Sequence, residues 1–99
     1  MRIIAGKAKG RKLKSINNSG VRPTSDRVKE AIFNILGPVI RNCVILDLFA
    51  GFGSLGLEAL SRGAKQAVFV EKNKKNTSII NQNLSLCKFT EEGKVVKDD

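Results

Sequence analysis

The chain has 99 residues, 41% of them hydrophobic, and 18 Lys or Arg against nine Asp or Glu give a net charge of +9. That length holds one domain at most, no apolar run approaches the roughly 18 residues of a membrane-spanning helix, and no signal-peptide core follows the basic start. With no histidine and two distant cysteines, Cys43 and Cys87, a disulfide framework, a His-based triad and a zinc site are excluded, which predicts a soluble, reduced, cytoplasmic protein without a metal.

The charge is concentrated at one end. Residues 1–25 hold Arg2, Lys7, Lys9, Arg11, Lys12, Lys14 and Arg22 with no acidic residue, while the remainder carries 11 basic and nine acidic side chains. Such an arm attracts phosphate backbones through counterion release, so these seven residues are candidate RNA contacts. It has no aromatic residue on which a base could stack. Ile3, Ile4 and Leu13 with Gly6 and Gly10 predict two short strands around a turn, and residues 1–20 are read as a basic arm or hairpin.

Asn17-Asn18-Ser19-Gly20 reads as a loop, and Thr24 or Ser25 as a helix N-cap. Val28, Ala31, Ile32, Ile35 and Leu36 follow at helical spacing and predict the apolar stripe of an amphipathic helix, ended by Gly37-Pro38. Cys43–Leu48 lacks alternation and predicts a strand buried on both faces of a parallel sheet. Leu55–Arg62 reads as a short helix, and residues 67–71 as a second apolar strand ending in Glu71. Ile79, Ile80, Leu84 and Cys87 mark another helix, and residues 94–97 a third strand. This order predicts the βαβαβ half of an open α/β sheet, with Asp47, the glycine turn, Glu71 and Asp98-Asp99 along one rim. Phe33, Phe69 and both cysteines are expected in the core, Glu30 and Glu58 on helix surfaces, and Lys72, Lys74 and Lys75 on a solvated face.

Gly51-Phe52-Gly53-Ser54-Leu55-Gly56 matches G-x-G-x-x-G, with Glu71 20 residues after Gly51. Taken alone the pattern fits a dinucleotide. Asp47 argues otherwise: a carboxylate beside the turn repels a pyrophosphate, by an amount on the order of a kcal/mol or more, and attracts the ammonium and sulfonium of S-adenosylmethionine. Glu71 can bond the ribose of either cofactor.

Arg2-Ile3-Ile4-Ala5-Gly6, Gly10-Arg11-Lys12-Leu13, the run from Arg22-Pro23-Thr24 to Leu36 and the run from Asp47-Leu48-Phe49-Ala50-Gly51 to Ala59 resemble the bacterial RsmD-type 16S rRNA guanine-N2-methyltransferases. The resemblance extends from Arg2 to Asp99. It implies a Rossmann-like S-adenosylmethionine-dependent methyltransferase sheet, methyl transfer to the exocyclic amine of a guanine, and a monomeric full-length enzyme acting on 16S rRNA or the small ribosomal subunit. By the same resemblance Asp47, Phe49, Ala50, Gly51 and Gly53 form the first cofactor motif, Glu71 holds the ribose, and Asp99 lies beside the adenine. Arg22-Pro23-Thr24 is placed near the cofactor and target base. Phe52 departs from the small residue usual in the family, and its side chain is expected to point away from the cofactor.

Methyltransferases of this kind carry an Asp or Asn, two prolines and an aromatic residue that orient the exocyclic amine and stack its base. Here Pro23 and Pro38 are not adjacent, so that motif is absent and no catalytic residue is assigned. The 99 residues are expected to be the N-terminal part of a longer enzyme, with residues 21–99 its cofactor-binding half and no activity on their own. A non-catalytic RNA-binding protein, an NAD-dependent oxidoreductase fragment and a related methyltransferase acting on other RNA or DNA remain as alternatives.

Overall fold

The computed structural model describes residues 1–16 and 24–98. Arg22, Pro23 and Asp99, all assigned above to binding roles, and the predicted loop at 17–20 lie outside the described residues. The elements follow as α1 (Asp26–Leu36), a single 3-10 turn (Gly37–Ile40), β1 (Val44–Asp47), α2 (Ser54–Ser61), β2 (Gln66–Glu71), α3 (Lys74–Leu86) and β3 (Gly93–Lys97). The three strands are parallel in the order β1-β2-β3, with Leu46 opposite Val68 and Val70 opposite Val96. This is the expected βαβαβ unit, and its parallel strands bring Asp47 and Glu71 to one edge.

Local chemistry sets the helix ends. The Ser25 hydroxyl accepts from the Val28 amide and caps α1, while Gly37 ends it at φ 54°. Asn73 caps α3 by accepting from Lys75 and Asn76, so this helix starts well before the apolar residues that announced it. Gly56 lets α2 lie close on the sheet: a Cβ there would come within 2.3 Å of the Phe69 ring.

The residues Ala67 and Phe69 of β2, with Leu57, Ala59 and Leu60 of α2 and Ile80 and Leu84 of α3, form the core. Phe33 and Cys87 belong to it as expected, whereas Cys43 is only half-buried. The N-terminal hairpin belongs to the same core, since Ile3, Ala8 and Leu13 are all buried in it. Arg2 pairs with Lys12 across the hairpin, closed by bonds from Ile3 N to Arg11 O and from Leu13 N to Met1 O, each 2.9 Å.

Two expectations about burial fail for one reason. Val28, Ile35 and Leu36 of the predicted α1 stripe are exposed, Ile35 by 85%, and the helix instead buries Lys29 and Phe33. In β1, Val44 and Leu46 are each 60% exposed, so that strand is covered on one face only. The contacts of the sheet run to α2 and α3 on the Ala67–Phe69 side, and the face bearing Val44 and Leu46 has no covering layer among the described residues. The α1 stripe and the outer face of β1 are therefore apolar surfaces whose partners are not among the described elements.

A third correction concerns Glu58, expected on a helix surface. Its side chain is fully buried, and its two oxygens accept from Ile4 N (2.9 Å) and Ala5 N (3.1 Å) of the hairpin. Arg62, one turn further along α2, donates to it at 2.8 Å, and the fully buried Lys29 ammonium lies 3.6 Å away. The Lys29 ammonium also donates to Arg2 O at 2.5 Å, so one carboxylate joins the hairpin, α1 and α2. Removing it strands a buried ammonium and two amides, an uncompensated loss of about 3–5 kcal/mol. Glu58→Ala is expected to lower the urea-unfolding free energy by about that amount. A loss below about 1 kcal/mol would show that water replaces the carboxylate without cost.

Candidate cofactor site

The site is built at the carboxyl ends of the three strands. Between β1 and α2 the chain makes a tight turn in which Gly51 (φ 57°) and Gly53 (φ 89°) take left-handed conformations that side chains disfavour. The turn is closed internally: Gly53 N donates to Ala50 O at 2.7 Å and Ala50 N to Val70 O at 3.2 Å. Gly51 N donates to Glu71 Oε1 at 3.1 Å. Three amides that could have met a phosphate are thus already used.

Glu71 does more than end a strand. Its other oxygen accepts from Asn73 N (2.8 Å) and the Asn76 side-chain amide (3.3 Å), bracing the turn against the start of α3. A carboxylate has about four acceptor positions, so capacity remains on Oε1 for a ligand hydroxyl. Asp47 Oδ1 accepts from Phe49 N at 3.3 Å. Burial pushes the Asp47 carboxyl above its ordinary value, the Phe49 and Gly56 amides oppose that, and the Glu71 charge raises it further. The two acids therefore share one field, and a cation placed between them relieves both.

Two cavities flank the Leu48–Phe49 corner. One, of about 420 Å³, lies over the ends of β2 and β3 and is lined by Leu48, Phe49, Glu71, Lys72 and Asp98. The other, of about 320 Å³, is apolar apart from Asp47 and lies between α1 and β1, with Ile32, Leu36, Leu46 and Leu55 among its walls. Phe49 borders both and is 92% exposed, an aromatic ring held at the rim. Asp98 N donates to Glu71 O at 3.0 Å, which continues the rim onto β3. Ser54 Oγ, at the first residue of α2, is buried with no hydrogen-bond partner among the described residues.

Of the assigned cofactor residues, Asp47, Phe49, Ala50, Gly51, Gly53 and Glu71 are brought together. Ala50 and Gly53 are buried as parts of the turn, and Thr24 is half-buried before the α1 cap and lines neither cavity. Phe52 is buried, and its carbonyl accepts from Asn83 Nδ2 at 3.0 Å, so its ring is withdrawn into the protein. Sequence reasoning missed Asn83, whereas Lys72 is exposed as expected and borders the cavity of about 420 Å³. Asn83 also exchanges bonds with Lys14, from Lys14 N at 2.6 Å and to Lys14 O at 3.0 Å, and so joins the glycine turn to the hairpin. A buried Asn at the centre of an apolar helix face was the available signal.

The profile of a family described as conserved hypothetical protein 95, Cons_hypoth95, matches residues 1–99. The chain belongs to this family. It is 51% identical over 92 residues to the ribosomal RNA small subunit methyltransferase D of Haemophilus influenzae, covering 93% of this chain and 48% of that protein. The solved structure of a protein from Escherichia coli superposes with a TM-score of 0.88 at 41% identity, covering 100% of this chain and 52% of that one. In fold alone the chain matches an RNA methyltransferase from Salinibacter ruber in complex with S-adenosyl-L-homocysteine, with a TM-score of 0.71 at 19% identity over 79% of this chain and 50% of that one. The family resemblance and the Rossmann-like βαβαβ fold read from the sequence are both upheld. The chain spans about half the length of the curated relatives it matches.

The raised Asp47 gives a test that needs no ligand. A carboxyl whose folded value exceeds its unfolded one costs stability once ionised, and that cost disappears as pH falls through 3.8, its ordinary value. Asp47→Asn is therefore expected to raise the melting temperature at neutral pH, with the gain shrinking toward pH 3. A loss of stability at pH 7 would show that the Phe49 and Gly56 bonds outweigh the burial.

Proposed function

We propose that this chain is the cofactor-binding half of an S-adenosylmethionine-dependent methyltransferase that acts on the N2 amine of a guanine in 16S rRNA. The observation that carries the cofactor reading is the pairing of Asp47 with Glu71 across a glycine turn whose Ala50, Gly51 and Gly53 amides are all internally bonded. Such a rim repels a pyrophosphate and gives it none of those three donors, which disfavours the dinucleotide alternative. It suits a ligand with a cationic end and ribose hydroxyls.

When bound, S-adenosylmethionine supplies the electrophilic methyl group. Asp47 would hold the cationic methionine end, Glu71 would accept from the ribose through Oε1, Phe49 and Asp98 would border the adenine, and Asp99 keeps its assignment there. Thr24 and Arg22 keep their assignment near the cofactor and target base. The hairpin cations Arg2, Lys7, Lys9, Arg11, Lys12 and Lys14 would hold rRNA, within the cytoplasmic small subunit or its precursor.

The substrate identity rests on the name of the relative and on the basic hairpin, and the methyl-transfer step needs an amine-orienting motif that these residues do not contain. The uncovered face of β1 and the exposed α1 stripe support the reading of a half-domain that works with a second half. In calorimetric titration with S-adenosylmethionine, Asp47→Ala and Glu71→Ala are each expected to weaken binding about 10-fold or more, the cost of one charge-assisted bond. Saturable NAD binding without S-adenosylmethionine binding would reverse the cofactor reading. With labelled cofactor and small ribosomal subunits the 99-residue chain is expected to transfer no methyl group, and incorporation above background would overturn the two-half reading.

A further inference from the structure

The molecule has a second concave site at the opposite end of the sheet, where the three strands begin. It is a cleft of about 630 Å³, bordered by Lys7 and Arg11 of the hairpin, Asn42 before β1, Lys65 before β2, and Lys88 and Glu92 before β3. Four cations from three separate stretches of chain converge there against a single acid. Only Lys7 and Arg11 were legible as RNA contacts, because Lys65 and Lys88 belong to the nearly charge-balanced part of the sequence.

Ordinary structural roles account for little of this cluster. Arg11 Nη1 donates to Leu86 O at 3.3 Å, so it complements the carboxyl end of α3. Lys7, Lys65 and Lys88 form no ion pair among the described residues. The non-glycine residues with left-handed backbone, Asn42 and Lys88, both at φ 62°, lie on this cleft. The position after a helix C-cap is where glycine is preferred, yet here it carries a lysine at a conformational cost. Phe89 is buried and the cleft offers no exposed aromatic ring, so it is equipped for phosphate and not for base stacking.

We infer that this cleft is a second RNA-backbone site, in which Lys65 and Lys88 extend the hairpin's cationic surface and hold phosphates remote from the methylated base. The six residues of β2 separate it from the acidic rim by about 20 Å. Contacts at that distance carry no base identity and set the register of the RNA on the protein. Glu92, the one acid bordering the cleft, has its Oε2 buried without a hydrogen-bond partner among the described residues, and it would keep phosphates toward the lysine side.

The inference rests on the RNA-substrate reading, and the test separates the two. A short fluorescein-labelled single-stranded RNA is titrated with the chain over a range of salt concentrations and followed by anisotropy. The Lys65→Gln/Lys88→Gln variant is expected to bind more weakly, with a log K against log salt slope shallower by about 1.4, two phosphate contacts on a single strand. Lys88→Gly separates folding from binding, since glycine suits φ 62°: it is expected to melt at a higher temperature while binding RNA more weakly. An unchanged slope in the double variant, with the parent binding RNA, overturns the cleft site and leaves the substrate reading standing. Absence of salt-dependent RNA binding by the parent chain overturns both.

Discussion

The buried carboxylate of Glu58 is the constraint on which the arrangement depends. The hairpin buries Ile3, Ala8 and Leu13, but its cations repel one another, and packing it brings backbone amides out of water that need an acceptor. Glu58 gives two of its backbone amides an acceptor inside the protein and brings Lys29 and Arg62 to the same point. Ser61, one turn later, repeats the device: its hydroxyl accepts from Ala8 N and donates to Ala5 O. One face of α2 thus binds the hairpin while the other packs on the sheet, and the helix is buried almost throughout. Because α2 also begins at the glycine turn, the basic hairpin and the Asp47–Glu71 rim are held by one element.

Carboxylates divide the work in this small molecule. Glu58 is neutralised by partners and organises structure. Asp47 and Glu71 sit close together with backbone amides as their chief partners, which leaves their field open to a cation. The positive side chains lie mainly on the hairpin and at the base of the sheet. Where the strands end, Asp47, Glu71 and Asp98 lie among Lys72 and Lys97, and where they begin Lys65 and Lys88 lie beside Glu92.

Much of the fold was legible because it rests on local rules. The strand–turn–helix step at Asp47 to Ala59, the stop at Gly37-Pro38, and the acid at the end of the second strand each follow from chemistry within a few residues. The faces were not. Val28, Ile35 and Leu36 have the spacing of a core stripe, but periodicity reports only that an apolar face exists. It does not say which neighbour covers it, and the hairpin and α2 take the Lys29–Phe33 face instead. The same limit applies to β1, where an unbroken apolar run announced two covered faces and one is covered among the described residues.

From the sequence alone came the parallel α/β order, the glycine turn with Asp47 and Glu71, and a cationic hairpin, since each is written in contiguous residues or a fixed spacing. Tertiary structure decided what contiguous residues cannot express. It turned Glu58 from a surface acid into the anchor of the hairpin, made Asn83 the joint between the hairpin and the glycine turn, and gathered Lys7, Arg11, Lys65 and Lys88 from three stretches of chain into one cleft. The physical reason is the same in each case: desolvation and charge–charge energies depend on distance in space, and only the packed chain brings those groups within a few ångströms of one another.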